Sequence, residues 1–227
     1  MKQTINPRKA AVIGCGFVGS ATAFTLMQSR LFSELVLLDV NHDKADGEAK
    51  DIAHGIPFAG QMKIYAGTYD DIADSAIIIV TAGANQKPNE TRLDLVHKNV
   101  AIYKTIIPEI AKRGFEGILL IVSNPVDILT YAALNLSGFP ENRVIGSGTI
   151  LDTARLRYLM SEYLGISTSN IHAYIMGEHG DSSFVPWTHA YIGCKNLLEM
   201  LDENHRDLQD LNEIYHQVQQ AAYEIIN

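Results

Sequence analysis

Gly177-Glu178-His179-Gly180-Asp181 sets a histidine between two glycines at the end of an apolar run, a spacing that suits close approach of another molecule. Taken alone the histidine is ambiguous, and the segment lacks the H-E-x-x-H spacing of a zinc protease, so no metal is expected. Asp152 and Arg155 stand three residues apart at the start of a helical pattern and share one face. Thr149-Ile150-Leu151-Asp152 also satisfies the S/T-x-x-acid pattern of an N-terminal capping box, so capping and chemistry both stand as readings of Asp152. Gln86-Lys87-Pro88-Asn89-Glu90-Thr91-Arg92 is polar and rich in turn formers, and reads either as a lid or as an ordinary exposed loop.

A second constellation lies near the N-terminus. Gly14-Cys15-Gly16-Phe17-Val18-Gly19 follows the strand-like Ala10-Ala11-Val12-Ile13 and opens a helical stretch. In a dinucleotide-binding turn the three glycines do different things. Gly14 permits the tight turn, Gly16 leaves room for a pyrophosphate, and Gly19 lets helix approach strand. Asp39 lies 20 residues after Gly19 at the end of the next strand-like run, where a carboxylate accepts from ribose hydroxyls. The same carboxylate repels a 2′-phosphate and no arginine follows it closely, Lys44 being the nearby cation, so NAD is favoured over NADP. The competing reading is a compact turn with Asp39 as a helix cap. With a dinucleotide site upstream, an acid able to orient a histidine and an arginine able to grip a carboxylate become one coherent set. Cys15 reads as a small filler and Cys194 as a buried thiol.

These residues need elements to hold them. Apolar runs of strand length occur at 10–13, 35–38, 62–65, 77–80, 118–122 and 144–145, separated mostly by helical patterns such as Thr91 to Arg113 and Val126 to Leu136. The runs are apolar at successive positions, as in parallel strands buried on both faces, so an α/β fold with a Rossmann-type doubly wound parallel sheet is expected. From Thr149 the rhythm changes to a helix through about Leu164, a strand at Ile171 to Met176 and a last helix from near Arg206. A dinucleotide-binding domain over 1–147 and an incomplete α+β substrate domain over 148–227 follow from that change.

The chain has 227 residues, 18 Lys+Arg against 26 Asp+Glu, and a formal charge of -8. The acidic balance, without a basic cluster, argues against nucleic acid and anionic membrane as partners. No apolar run reaches the roughly 18–20 residues of a membrane span. Two cysteines and no apolar N-terminal signal fit a cytoplasmic location.

Gly14 to Gly19, Thr81-Ala82-Gly83-Ala84-Asn85-Gln86-Lys87-Pro88, Glu90-Thr91-Arg92-Leu93, Val122-Ser123-Asn124-Pro125-Val126-Asp127, Gly148 to Arg155 and Gly177-Glu178-His179-Gly180 together resemble the L-lactate dehydrogenases. The resemblance runs through essentially the whole chain. It implies that His179 gives a proton to the pyruvate carbonyl as hydride arrives from NADH, and takes one back in the lactate direction. It implies that Asp152 holds the other ring nitrogen, that Arg155 grips the substrate carboxylate in a bidentate pair, and that Arg92 polarises the carbonyl. Asn124 would bind substrate and line the nicotinamide site.

The division between lactate and malate enzymes turns on the residue type at Gln86. A neutral amide leaves a second substrate carboxylate unpaired, at a cost of about 3–5 kcal/mol, so pyruvate is the expected substrate and malate dehydrogenase the alternative. A catalytically silent NAD-binding or oligomerisation fragment is the competing class. Further cofactor positions implied by the resemblance are Val18, Lys44, Tyr69, Gly83, Ala84, Val122, Ser123 and Ser147. Arg157, turned about 200° from Arg155 around the helix, and His172 match positions that bind fructose 1,6-bisphosphate in the allosteric bacterial enzymes, which implies a bisphosphate-activated homotetramer. Asn89 replaces a glycine usual in that loop, and the family's greater length leads to the expectation that a C-terminal part is missing here.

Overall fold

A computed structural model of the chain describes residues 4–84 and 91–226, with the side chains of Arg92 and of residues 222–226 outside the description. It divides into two compact units, Met1–Gly146 and Ser147–Asn227.

In the first unit the elements run β1 (Asn6–Ile13), α1 (Phe17–Ser29), β2 (Glu34–Leu38), α2 (His42–Ala53), α3 (Ile56–Ala59), β3 (Lys63–Ala66), β4 (Ser75–Val80), α4 (Arg92–Ala111), β5 (Ile118–Ile121), α5 (Val126–Ser137) and β6 (Val144–Gly146). The strands form a parallel sheet in the order β3-β2-β1-β4-β5-β6. Ala10 is in register with Leu35 on one side and Ile77 on the other. Strand order reverses between β1 and β4, the place in such sheets where two chain crossovers diverge and leave a crevice at the carboxyl ends of the strands.

Successive residues of one strand enter opposite cores. Ala11, Ile13, Ile78 and Val80 pack with Tyr103, Ile107 and Leu129 on one face. Ala10, Val12, Leu35, Leu37 and Ile79 pack with Ala23, Met27 and Ile52 on the other. This burial on both faces is the physical reason these strands read as unbroken apolar runs.

The second unit contains α6 (Ile150–Leu164), β7 (Ile171–His172), β8 (Tyr191–Ile192), β9 (Lys195–Asn196), α7 (Leu197–Glu203) and α8 (Leu208–Ile226). Its strands pair antiparallel in the order β7-β8-β9. Leu156 and Met160 of α6, Leu197 and Leu201 of α7, and Leu211, Ile214 and Val218 of α8 close a separate core.

Two expectations need correction. The strand expected over Ile171 to Met176 pairs only at Ile171–His172, and Met176 instead forms an isolated bridge with Phe184. Side chains of α6 claim the intervening backbone: Ile175 N donates to Thr153 Oγ1 at 3.0 Å and Arg157 Nε to Ala173 O at 3.0 Å. Cys194 is exposed, because it sits in the β8–β9 turn beside Gly193 at φ 59°. The last helix starts at Leu208, close to the expected Arg206, whose guanidinium donates to Tyr163 O at 2.8 Å and lies over the Tyr163 ring.

Candidate active site

The glycine turn has the close contacts that its residue types require. Gly14 has φ 102°, and a Cβ there would stand 2.6 Å from Ala82 N; a Cβ on Gly19 would stand 1.8 Å from Gly14 O. Neither position tolerates a side chain without moving backbone. Around Gly16 nothing lies within 4 Å of an added Cβ. Gly16 is also the N-cap of α1 and brings no side chain to its first N–H groups. Those donors, with the positive end of the helix dipole, face open space and suit an anion.

Half-buried Asp39 folds back on this turn. Its Oδ2 accepts from Cys15 N at 2.7 Å and its Oδ1 from Asn41 N at 2.9 Å. A carboxylate offers about four acceptor positions, so it retains capacity for ribose hydroxyls. Helix α2 is capped by Asn41, which takes Lys44 N, so Asp39 is not its side-chain cap. The arrangement fits NAD: an open cradle for the pyrophosphate, and an acid positioned by the same turn. The Cys15 thiol inside the turn is buried, and that burial, followed by the Asp39 and Glu48 charges, pushes its pKa up to about 11.

Beside the cradle, the chain leaving β4 is tied to the chain leaving β5. Ser123 Oγ donates to Ala82 O at 2.7 Å, and Thr81 Oγ1 to Gly14 O at 2.7 Å. Buried Asn99 of α4 accepts from Ala84 N at 2.7 Å and donates to Asn124 O at 2.8 Å. Gly14, Gly16, Gly19, Asp39, Gly83, Ala84, Val122, Ser123 and Asn124 thus gather at the carboxyl ends of β1, β2, β4 and β5. Val18 lies exposed in the first turn of α1 and Lys44 in that of α2. Tyr69 is not brought to this group. It lies in the β3–β4 connection under Arg113, 5.4 Å from its ring, beyond the far end of 20-residue α4. Gln86 and Asn89 lie outside the described residues, as does the Arg92 side chain; Arg92 opens α4, which Thr91 and Asp94 cap reciprocally.

In the second unit His179 and Asp152 meet. His179 Nδ1 is 2.5 Å from Asp152 Oδ2, with the two side chains 27% and 13% exposed. Arg155 Nη1 stands 3.7 Å from the other carboxylate oxygen. Partial burial makes such contacts stronger than they would be in water. The capping-box reading of Asp152 is not realised: Thr149 is the N-cap of α6 but makes no side-chain cap bond, and its hydroxyl donates to Ile175 O at 2.7 Å. Ser147 precedes this helix and accepts from Ile150 N. Arg157 lies over the Tyr174 ring at 4.4 Å, and His172 is exposed at the end of β7.

Sequence reasoning passed over Asn99 and Thr153, and read Thr149 only as a helix cap. For Asn99 the available signal was an amide in register with Tyr103, Ile106 and Ile110 on the buried face of a helix. For the threonines it was the i, i+4, i+8 stripe 149, 153, 157. Among the described residues no group of three or more His, Cys, Asp or Glu side chains is placed to hold a metal, and no helix is long and apolar enough to cross a membrane.

Comparison with known proteins agrees with this geometry. Residues 8–146 match the lactate/malate dehydrogenase NAD binding domain, and residues 149–227 the lactate/malate dehydrogenase alpha/beta C-terminal domain. The chain is 53% identical over 230 residues to an L-lactate dehydrogenase of Priestia megaterium, covering 100% of this chain and 72% of that protein. It is 54% identical over 221 residues to one from Acetivibrio thermocellus, covering 96% and 70%. Among solved structures, a lactate dehydrogenase from a Medee basin deep-sea metagenome library superposes with a TM-score of 0.93 at 48% identity, over 100% of this chain and 71% of that one. The ligand-bound minor L-lactate dehydrogenase of Enterococcus mundtii also gives 0.93, at 43% identity, over 96% and 70%. With both domains matched and half of its residues shared with these enzymes, the chain belongs to the lactate/malate dehydrogenase family, among its NAD-dependent L-lactate dehydrogenases.

Proposed function

We infer that this chain catalyses the NAD-dependent interconversion of pyruvate and L-lactate, with His179 as the group that gives and takes the proton. The observation that carries the assignment of roles is the 2.5 Å contact between His179 Nδ1 and Asp152 Oδ2. A carboxylate on Nδ1 fixes the ring and its tautomer, assigns the exchanged proton to Nε2, and favours the cationic imidazole. When bound, NADH supplies the hydride that reduces the carbonyl carbon. His179 then delivers its Nε2 proton to the carbonyl oxygen, and in the lactate direction accepts the hydroxyl proton.

Arg155 takes the substrate carboxylate, for which a planar guanidinium offers two parallel donors that lysine cannot reproduce. Arg92 polarises the carbonyl as negative charge develops, and Asn124 orients the substrate. Gly14, Gly16, Val18, Gly19, Asp39, Lys44, Gly83, Ala84, Val122, Ser123, Asn124 and Ser147 hold the cofactor. Tyr69 is left to packing. Neutral Gln86 sets the preference for pyruvate over oxaloacetate, whose second carboxylate would find no cation there.

Arg157 and His172 form an activator site for fructose 1,6-bisphosphate in a homotetramer. Two features support this reading: the guanidinium is held by Ala173 O and the Tyr174 ring, and His172 is exposed on the adjoining strand.

The test is NADH consumption with pyruvate or oxaloacetate, each with and without fructose 1,6-bisphosphate. Turnover selective for pyruvate and raised by the bisphosphate is expected. Selectivity for oxaloacetate overturns the substrate assignment, and equal rates at saturating bisphosphate overturn the activator site.

A further inference from the structure

We propose that Thr153 is a positioning residue for the Asp152–His179 pair: its hydroxyl fixes the segment that leads to His179 against the helix that carries Asp152. The proposal rests on reading that pair as the proton-transferring group of the lactate dehydrogenase reaction.

The strand before His179 stops pairing early. The β7 ladder ends at His172, yet alternate residues beyond it are buried, Ala173 1% and Ile175 3% exposed, between the outward-facing Tyr174 and Met176. Buried N–H and C=O groups must find partners, and here α6 provides them through one stripe of side chains. Thr149 Oγ1 donates to Ile175 O at 2.7 Å, Thr153 Oγ1 accepts from Ile175 N at 3.0 Å, and Arg157 Nε donates to Ala173 O at 3.0 Å. Residues four apart on a helix stand one above the other, so this spacing runs the segment along a single face of α6.

Asp152 and Thr153 are neighbours on that helix, and Ile175 and His179 are four residues apart on the segment. One pair of chain pieces is therefore joined twice, by the Thr153–Ile175 bond and by the 2.5 Å His179–Asp152 contact. Between the two joints the chain turns at Gly177, φ 92°, and is closed by Met176 N to Phe184 O at 2.9 Å and Phe184 N to Met176 O at 3.0 Å. This short closed loop gives His179 little freedom other than the register of Ile175 on α6.

Thr153 is the member of the stripe that accepts. Valine has the shape of threonine without the acceptor, so Thr153→Val leaves the Ile175 N–H without its acceptor and loosens the register of a segment that Thr149 and Arg157 still hold, whereas serine keeps the acceptor. Among the described residues, Asp152 faces the imidazole and Arg155 on α6 stands 3.7 Å from the other carboxylate oxygen, while Glu178 and Asp181 flank His179 along the chain.

The experiment compares the protein with Thr153→Val and Thr153→Ser. Read out are kcat and KM for pyruvate, the pH profile of kcat/KM, NADH affinity by fluorescence, thermal midpoint, and the His179 ring titration by NMR. Thr153→Val should lower kcat by about tenfold or more and shift the His179 titration downward, as the Asp152 carboxylate supports the cation less well. NADH affinity should stay within about twofold, and Thr153→Ser should bring both kcat and titration back. A lower thermal midpoint with unchanged kcat, pH profile and His179 titration would overturn the proposal, as would a serine variant no better than valine. If the parent protein does not reduce pyruvate, the functional reading fails; the NMR titration still decides whether Thr153 sets the Asp152–His179 contact.

Discussion

In the proposed reaction Asp152 and His179 share the handling of one proton, and only one of them needs to move it. Asp152, 13% exposed, holds Nδ1, while in the proposed cycle His179 exchanges a proton at its other nitrogen. Asp152→Asn should therefore lower kcat for pyruvate by about 10²–10⁴, the usual range for losing a well-placed acid or base, with NADH affinity unchanged. Steady-state rates set beside NADH titration check it, and a loss confined to KM would assign Asp152 to substrate binding alone. The two thiols give a second prediction at this scale. Cys15 is 2% exposed with its pKa raised to about 11 chiefly by burial, while Cys194 lies in an open turn. Because the thiolate is the reactive form, iodoacetamide at mildly alkaline pH should add one label to the native protein and two after denaturation. Intact mass reads the count, and two rapid additions to the native protein would contradict a closed glycine turn.

Strand starts carry a charge cluster that the chemistry does not use. Lys9 of β1 is 2.8 Å from Asp74, just before β4, and 3.4 Å from Glu34 of β2, which also accepts from the Tyr65 hydroxyl of β3 at 2.8 Å. Burial works against the charge on Lys9, but Asp74 and Glu34 outweigh it and hold its pKa above the ordinary 10.5. Burial likewise pushes Glu34 up, but Tyr65, Lys9 and Lys63 pull it further down, below 4.5. The signs are opposite. Stability from Lys9 is complete below its unfolded pKa and is lost as pH rises through the higher folded one; that from Glu34 is complete above its unfolded pKa and is lost as pH falls through the lower folded one. Thermal midpoints should accordingly stay level from about pH 5 to about pH 10 and decline outside that window. Lys9→Met should lower the level and make the acid decline smaller, since Glu34 loses a cation that holds its folded pKa below the unfolded one. Parallel curves for the two proteins would remove the cluster from the pH dependence. The same strands were legible in the sequence because burial on both faces leaves unbroken apolar runs, and Gly14, Gly19 and Asp39 because their roles are local to one turn. Two-residue β8 and β9 and seven-residue α7 are too short for a period to emerge. The early end of β7 was hidden for another reason: whether Thr149 caps its own helix or reaches Ile175 depends on tertiary contact, which spacing along the chain does not reveal.

At the scale of the molecule, separate cores imply separable duties. The first unit holds the glycine turn and Asp39, and the second holds Asp152, Arg155 and His179, each set packed on its own buried cluster. Binding of the cofactor should then be independent of the proton-transferring group. A ligand that binds only the folded state stabilises it by RT ln(1 + [L]/Kd), about 2.7 kcal/mol at a hundredfold excess over Kd. For a chain of this size that is a rise of about 5–11 °C in thermal midpoint. His179→Asn should show the same NADH-induced rise as the parent protein while losing pyruvate reduction by at least about a hundredfold. Gly16→Val should do the reverse in the first measurement: an added Cβ there meets no protein atom within 4 Å, so the fold should persist, but the side chain enters the space proposed for the pyrophosphate and should abolish most of the NADH shift. Melting curves of the three proteins with and without NADH decide the matter. An NADH shift kept in Gly16→Val would mean that the cofactor does not lie along the glycine turn, and one lost in His179→Asn would mean that cofactor binding depends on the second unit, so the division of labour would have to be redrawn.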